Sequence, residues 1–342
     1  MNKPSLTVQV GLFTLIRVGL NSAYRMVYPF LTAFARGLGV DVETFSLVLT
    51  GRSLLGLAAP FLAPLADRRG RKVSMLLGLG LYTLGAGAVA LFPSLATFVL
   101  ALLLTQLGNY VFLPAMQAYL GDRVPYARRG RVMAATELSW SLAFIVGVPV
   151  LGWLLGGQGW PAPFALLAGL GVACLIVIAL FIPNAKPALQ QDGNGRSLQP
   201  GGLRQVLALP AALAALLMGF SLTAANEVIN LMFGVWLEDS FGLQLGALAA
   251  SAAVIGLSEL GGESLTVALV DKLGKRRAVG IGIAANTLAA LLLWLLGRSE
   301  WGALLGLFLF YLSFEFTMVS CLPLISAVAP GARATLMAAN IM

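Results

Sequence analysis

The chain has 342 residues, 59% of them hydrophobic and only 11% charged, with a mean hydropathy of +0.89. That balance excludes an ordinary water-soluble domain and identifies an integral membrane protein. The net charge of +8 does not point to nucleic acid, because the basic residues lie in short loops between apolar runs, where bilayer orientation accounts for them.

There is no histidine, so proton coupling has only carboxylates to use, and imidazole metal sites are excluded. Cys174 and Cys321 lie inside apolar runs far apart in sequence, with neither metal spacing nor a disulfide framework. No metal-ligand cluster, nucleophile motif or cofactor motif stands out, and neither enzyme nor cofactor is expected. The N-terminal apolar run is interrupted by Arg17 and reads as a retained first helix rather than a cleaved leader.

A bilayer core takes about 20 apolar residues as helix. In chain order, spans are predicted over residues 8–33, 44–66, 73–92, 95–121, 132–155, 161–183, 208–236, 245–270, 278–297 and 301–328, with an eleventh starting near Ala334. The polar, glycine-bearing stretch between them gives a division into a six-helix bundle over 1–183, a cytoplasmic linker over 184–204 and a second bundle over 205–342. Outside the spans, every Lys and Arg except Arg36 and Arg298 falls on one side, which the positive-inside rule makes cytoplasmic, together with the N-terminus.

The loop Asp67-Arg68-Arg69-Gly70-Arg71-Lys72 recurs 204 residues later as Asp271-Lys272-Leu273-Gly274-Lys275-Arg276. At the same offset Met133-Ala134-Ala135 matches Met337-Ala338-Ala339. A repeat carried by hydrophobic hairpins means two similar halves, the second ending at the start of its fifth helix, about two helices short of the first.

This repeated loop resembles the signature of the major facilitator superfamily of transporters, although Ala63 and Val267 stand where the pattern opens with glycine. The resemblance implies an all-α membrane fold of two pseudo-symmetric bundles, six helices plus an incomplete second six, with a substrate site between them and alternating access. It also implies a conformational latch: Asp67, Gly70 and Arg71 with Asp122 at the end of the fourth span, and Asp271, Gly274 and Lys275 in the second half. Charge-assisted contacts between Arg71 and Asp122 would hold one arrangement and break in the other. Gly147-Val148-Pro149-Val150-Leu151-Gly152 is similar to part of an antiporter element, while Leu104 stands where drug antiporters of the family carry an arginine.

Ionisable groups at membrane depth are costly and mark functional positions. On the first span Arg17, Asn21, Tyr24, Arg25 and Tyr28 share one helical face, expected to line the cavity. Arg25 and Arg52 lie at similar depth, about 12 Å from the outer side, and suit an anionic or carbonyl-rich partner. Gln106 and Asn109 on the fourth span are further candidates, as are Asn226 and Glu227 on the seventh, Glu259 and Glu263 on the eighth and Glu315 on the tenth. Glu137 is the acid opposing the first half's arginines. Glu259 or Glu315 is expected to bind a proton traded for substrate.

The expected function is secondary transport of a small amphipathic molecule, by proton-coupled efflux, through a monomer in the cytoplasmic membrane. A sugar or organic-anion permease stays open, as does a non-transporting scaffold or receptor of the same fold.

Overall fold

The computed structural model describes residues 5–58, 70–124, 132, 135–183 and 208–328. Every regular element among them is helical. Nine of these helices are long and apolar enough to cross a membrane by length and composition. Large apolar side chains such as Leu15, Leu84, Trp153, Phe220 and Val267 point outward and exposed, the surface expected of helices whose solvent is lipid. The chain is a multi-pass membrane protein.

Chain contacts divide it into two units, Met1–Leu189 and Gln190–Met342. In the first unit, α1 (Leu6–Arg25) and α2 (Leu31–Leu38) share the run predicted as one continuous span. Pro29 interrupts that span because it brings no N–H to the helical ladder. Just before it, Tyr28 N–H bonds the Arg25 carbonyl at 3.3 Å, a three-residue step that releases the Tyr24 carbonyl. Then α3 (Val42–Leu54) begins at an Asp41 cap, whose carboxylate accepts from Thr44 N–H at 2.6 Å. Hydrogen bonding from Thr44 holds the Asp41 carboxyl below its ordinary range.

Next, α4 (Arg71–Leu91) and α5 (Leu95–Arg123) form a tight antiparallel pair. A Cβ on Gly78 would meet the Gly108 carbonyl oxygen at 2.6 Å, so their backbones touch where both residues are glycine. The fifth predicted span is α6 (Ala135–Gln158), which contains a π-helical turn at Ala143–Gly147. Val148 N–H reaches back five residues to the Ala143 carbonyl, and Pro149, unable to donate to the Ile145 carbonyl, follows at once. Finally α7 (Ala162–Phe181) lies along α4, with Gly171 seated on the Thr83 side chain.

The second unit holds α8 (Pro210–Phe241), α9 (Leu245–Leu273), α10 (Lys275–Leu296) and α11 (Glu300–Val328). Its tight pair is α10 and α11, matching α4 and α5 at the 204-residue offset; there Gly282, the counterpart of Gly78, sits against Thr317. Gly242, at φ +65°, closes the long α8 in the left-handed region that glycine tolerates. The expected eleventh span, near Ala334, lies outside the described residues, as do Met133, Ala134 and the interbundle stretch 184–204.

Candidate functional site

In the first unit the polar stripe of α1 is turned onto the irregular first half of α6. Thr14 Oγ1 donates to the Ala135 carbonyl at 3.2 Å and Asn21 Nδ2 to Ser139 Oγ at 3.1 Å. Between them Arg17 grips Glu137 with both terminal nitrogens, at 2.8 and 2.9 Å, and donates to the Thr136 carbonyl at 2.8 Å. This fork-on-carboxylate pair is the strong kind of ion pair, since two parallel bonds fix its geometry. A Cβ on Gly147 would overlap the Ser22 hydroxyl of α1, and one on Gly152 the Phe30 ring just before α2, so α6 packs tightly against this run at both points.

Above this ladder sits an alternation of guanidinium and ring. Arg25 donates to the Trp140 carbonyl at 3.0 Å, and its guanidinium carbon lies 3.5 Å from the Phe144 ring centre and 4.3 Å from that of Trp140. The Trp140 ring neighbours Tyr24 at 6.0 Å, and Arg52 lies 4.1 Å over Tyr24. Arg52 also donates to Tyr28 Oη at 2.9 Å and to the Tyr24 carbonyl at 3.2 Å, the oxygen released by the Pro29 break. Each arginine is only 2% exposed, so the ring faces stabilise charge that water does not reach. Tyr110 neighbours Tyr24, Arg52 and Gln106 from α5, with half-buried Asn109 beside it.

In the second unit, Asn230 Nδ2 donates to Glu227 Oε2 at 3.3 Å while Asn230 Oδ1 accepts from the Tyr311 hydroxyl, tying α8 to α11. Asn226, one residue before Glu227, has a buried Oδ1 that finds no hydrogen-bond partner among the described residues. Glu259 is buried, and Glu263 and Glu315 are half-buried. Between Glu259 and Glu263 on α9 stands Gly262, where a Cβ would meet the Leu312 carbonyl oxygen at 2.5 Å and Glu315 Cβ at 2.8 Å, so the backbones of α9 and α11 pack closely at this level. Among the described residues no group of three or more His, Cys, Asp or Glu could hold a metal ion.

At the arginine-rich end of the first unit, Gly70 precedes α4 at φ +92° and ψ 150°, and Gly274 precedes α10 at φ +80° and ψ 135°. Both conformations are disfavoured for a residue with a Cβ, which is why the loop carries glycine twice. Arg71 is buried and its Nε lies 3.4 Å from Asp122 Oδ2. Lys72, read from sequence as a topology charge, donates to the Ala179 carbonyl at 2.6 Å and so caps the end of α7. Lys275 is exposed, while Asp67 and the side chain of Asp271 lie outside what is described.

Several contributors escaped the sequence reading. Thr14, Ser139 and Phe144 carry no charge, and only their register against Arg17, Asn21 and Arg25 gives them a role. Tyr311 is an aromatic in an apolar run until α8 presents Asn230. Two apolar clefts, of about 190 Å³ beside Tyr82 and Cys174 and about 510 Å³ beside Trp236 and Trp294, are lined by none of these charged groups, and Arg298 borders the second.

Comparison with known proteins places this arrangement. Residues 14–342 match the family described as Major Facilitator Superfamily. The uncharacterized MFS-type transporter YwfA of Bacillus subtilis is 26% identical over 84% of this chain and 69% of its own length. The multi-drug resistance efflux pump PmrA homolog of Lactococcus lactis is 26% identical over 77% of this chain and 66% of its own. Among solved structures, a bacterial homolog of the human lysosomal transporter Spinster, inward-facing and unoccupied, superposes with a TM-score of 0.78 over all of this chain and 80% of that one, at 16% identity. The fold is therefore that of the superfamily's transporters, and the chain belongs to the major facilitator superfamily.

Proposed function

We propose that the protein is a secondary active transporter that exports a small amphipathic molecule by alternating access in exchange for protons. The observation that carries this reading is the set of ionisable side chains at membrane depth: Arg25 and Arg52 in the first unit, Glu227, Glu259, Glu263 and Glu315 in the second. A scaffold gains nothing from such groups, each of which is costly to hold in a bilayer. Efflux is supported by similarity to the relative named as a multidrug pump. In the absence of histidine, the coupling proton is assigned to Glu259 or Glu315.

In this reading residues 1–183 and 205–342 are the two bundles joined by a cytoplasmic linker at 184–204, and the N-terminus lies in the cytoplasm. Asp67, Gly70, Arg71 and Asp122, with Asp271, Gly274 and Lys275, form the latch that holds one state. Arg17, Asn21, Tyr24, Gln106, Asn109 and Asn226 complete the substrate and coupling set. The protein works as a monomer in the cytoplasmic membrane. The arginine–tyrosine group around Arg52 favours a second reading in which the cargo is an organic anion.

The test uses the full-length protein in proteoliposomes loaded with a pH-sensitive dye, with ethidium and 8-anilinonaphthalene-1-sulfonate as probes. Glu315→Gln and Glu259→Gln are compared with the wild type. One of the two should abolish probe-driven proton movement while leaving probe exchange without a gradient intact; unchanged proton movement in both rejects the coupling assignment.

A further inference from the structure

The hydroxyl of Tyr24 stands at the end of a hydrogen-bond relay whose direction an arginine imposes. A guanidinium has only donors. Arg52 Nη2 donates to Tyr28 Oη at 2.9 Å, and the Tyr28 hydroxyl in turn donates to Tyr24 Oη at 3.2 Å. Charge at the head of such a chain polarises each following link, making the last hydroxyl a stronger donor. Tyr24 oxygen accepts in this relay, so its own hydrogen is left for an acceptor beyond it. Among the described residues no acceptor takes it.

The surroundings of that hydroxyl define what it meets. Tyr24, Tyr110 and Trp140 are half-buried, whereas Arg25 and Arg52, whose guanidiniums lie against the Trp140 and Tyr24 rings, are 2% exposed. The accessible layer is therefore aromatic, with one directed O–H donor, and the positive charge lies behind it. Ring faces select a planar partner. A donor whose relay begins at the Arg52 cation selects a partner with a negatively charged acceptor.

We infer that Tyr24 is a specificity-determining residue and that the substrate class is an aromatic or otherwise planar organic anion, its carboxylate or sulfonate accepting from Tyr24 Oη. This rests on the reading of the chain as a carrier of amphipathic molecules and narrows it. The cargo's charge sign is fixed by Arg52 acting through Tyr28, and Tyr28 is a positioning residue that sets the direction of the last donor.

The test is binding of a matched pair, 2-naphthoate and 2-naphthylmethylammonium, to the full-length protein in nanodiscs by calorimetry. The wild type should prefer naphthoate at least about tenfold, the scale of one charge-assisted hydrogen bond. Tyr24→Phe keeps the ring and should erase that preference without changing affinity for the ammonium, which also reports that the variant is folded. Tyr28→Phe should reduce the preference, while Tyr82→Phe, a phenol outside the relay that bonds the Gly19 carbonyl, should retain it. Equal affinities in the wild type, preference for the ammonium, binding of neither probe, or an intact preference in Tyr24→Phe would each overturn the inference. Proton coupling is read separately in proteoliposomes, so anion preference without proton movement rejects only the coupled-export reading.

Discussion

Gly70 and Gly274, 204 residues apart, share one backbone conformation: each stands immediately before a long helix with φ near +90° and an extended ψ. Among the described residues, chain neighbours aside, no atom lies within 4 Å of where a Cβ would project at either position, so the requirement comes from the backbone. Gly70→Ala and Gly274→Ala should each destabilise the protein by about 1–3 kcal/mol. Gly80→Ala, at a helical glycine of α4 with equally open space, should instead be neutral or stabilising by up to about 1 kcal/mol. Thermal unfolding in detergent separates the two outcomes, and equal effects at all three sites would contradict the conformational argument.

Arg17 and Glu137 hold α1 against the irregular start of α6. Removing the carboxylate charge with Glu137→Gln leaves the buried guanidinium with the Thr136 carbonyl and an amide oxygen. The Glu137 side chain is 47% exposed, so water replaces part of what is lost. The expected destabilisation is about 1–3 kcal/mol rather than the larger value of a fully buried pair. Unfolding midpoints of the wild type and Glu137→Gln check this; no shift would show the pair to be dispensable.

Arg25 lies on the Phe144 ring. A double-mutant cycle with Arg25→Met and Phe144→Leu, which preserves apolar volume at both positions, should give a coupling energy of about 1–2 kcal/mol. A coupling near zero would mean that the 3.5 Å approach is proximity without stabilisation.

Much of the architecture was legible in the sequence because the bilayer imposes a length on every apolar run. The fourth span, predicted as 95–121, is Leu95–Arg123, and the tenth, predicted as 301–328, is Glu300–Val328. The repeat makes Gly70 and Gly274 visible as equivalents in the linear order. The interior of the spans was less legible. The first span breaks after Arg25, where Pro29 diverts the ladder, and the fifth contains a π turn before Pro149. A hydropathy pattern does not register either event, because neither alters which residues are apolar.

Partner choice was the other hidden layer. The α1 face was expected to line a cavity, yet Arg17, Asn21 and Arg25 direct their bonds to Glu137, Thr136, Ser139 and Trp140 of α6. The spacing that put those side chains on one face could not say which helix that face meets. Tyr24 remains half-buried within the same stripe. Its distinction comes from Tyr28 one turn away and from Arg52 on another helix, a three-residue arrangement with no signature in the linear order.

The most direct test of the central claim is coupled flux. In proteoliposomes holding the full-length protein and an inward-directed proton gradient, 8-anilinonaphthalene-1-sulfonate and ethidium are followed with internal pH. The account predicts that at least one probe moves outward against its concentration gradient, that protons move in the opposite direction, and that collapsing the gradient with an ionophore stops this uphill movement. Probe movement indifferent to the proton gradient, or no movement of either probe beyond that in protein-free liposomes, would contradict it.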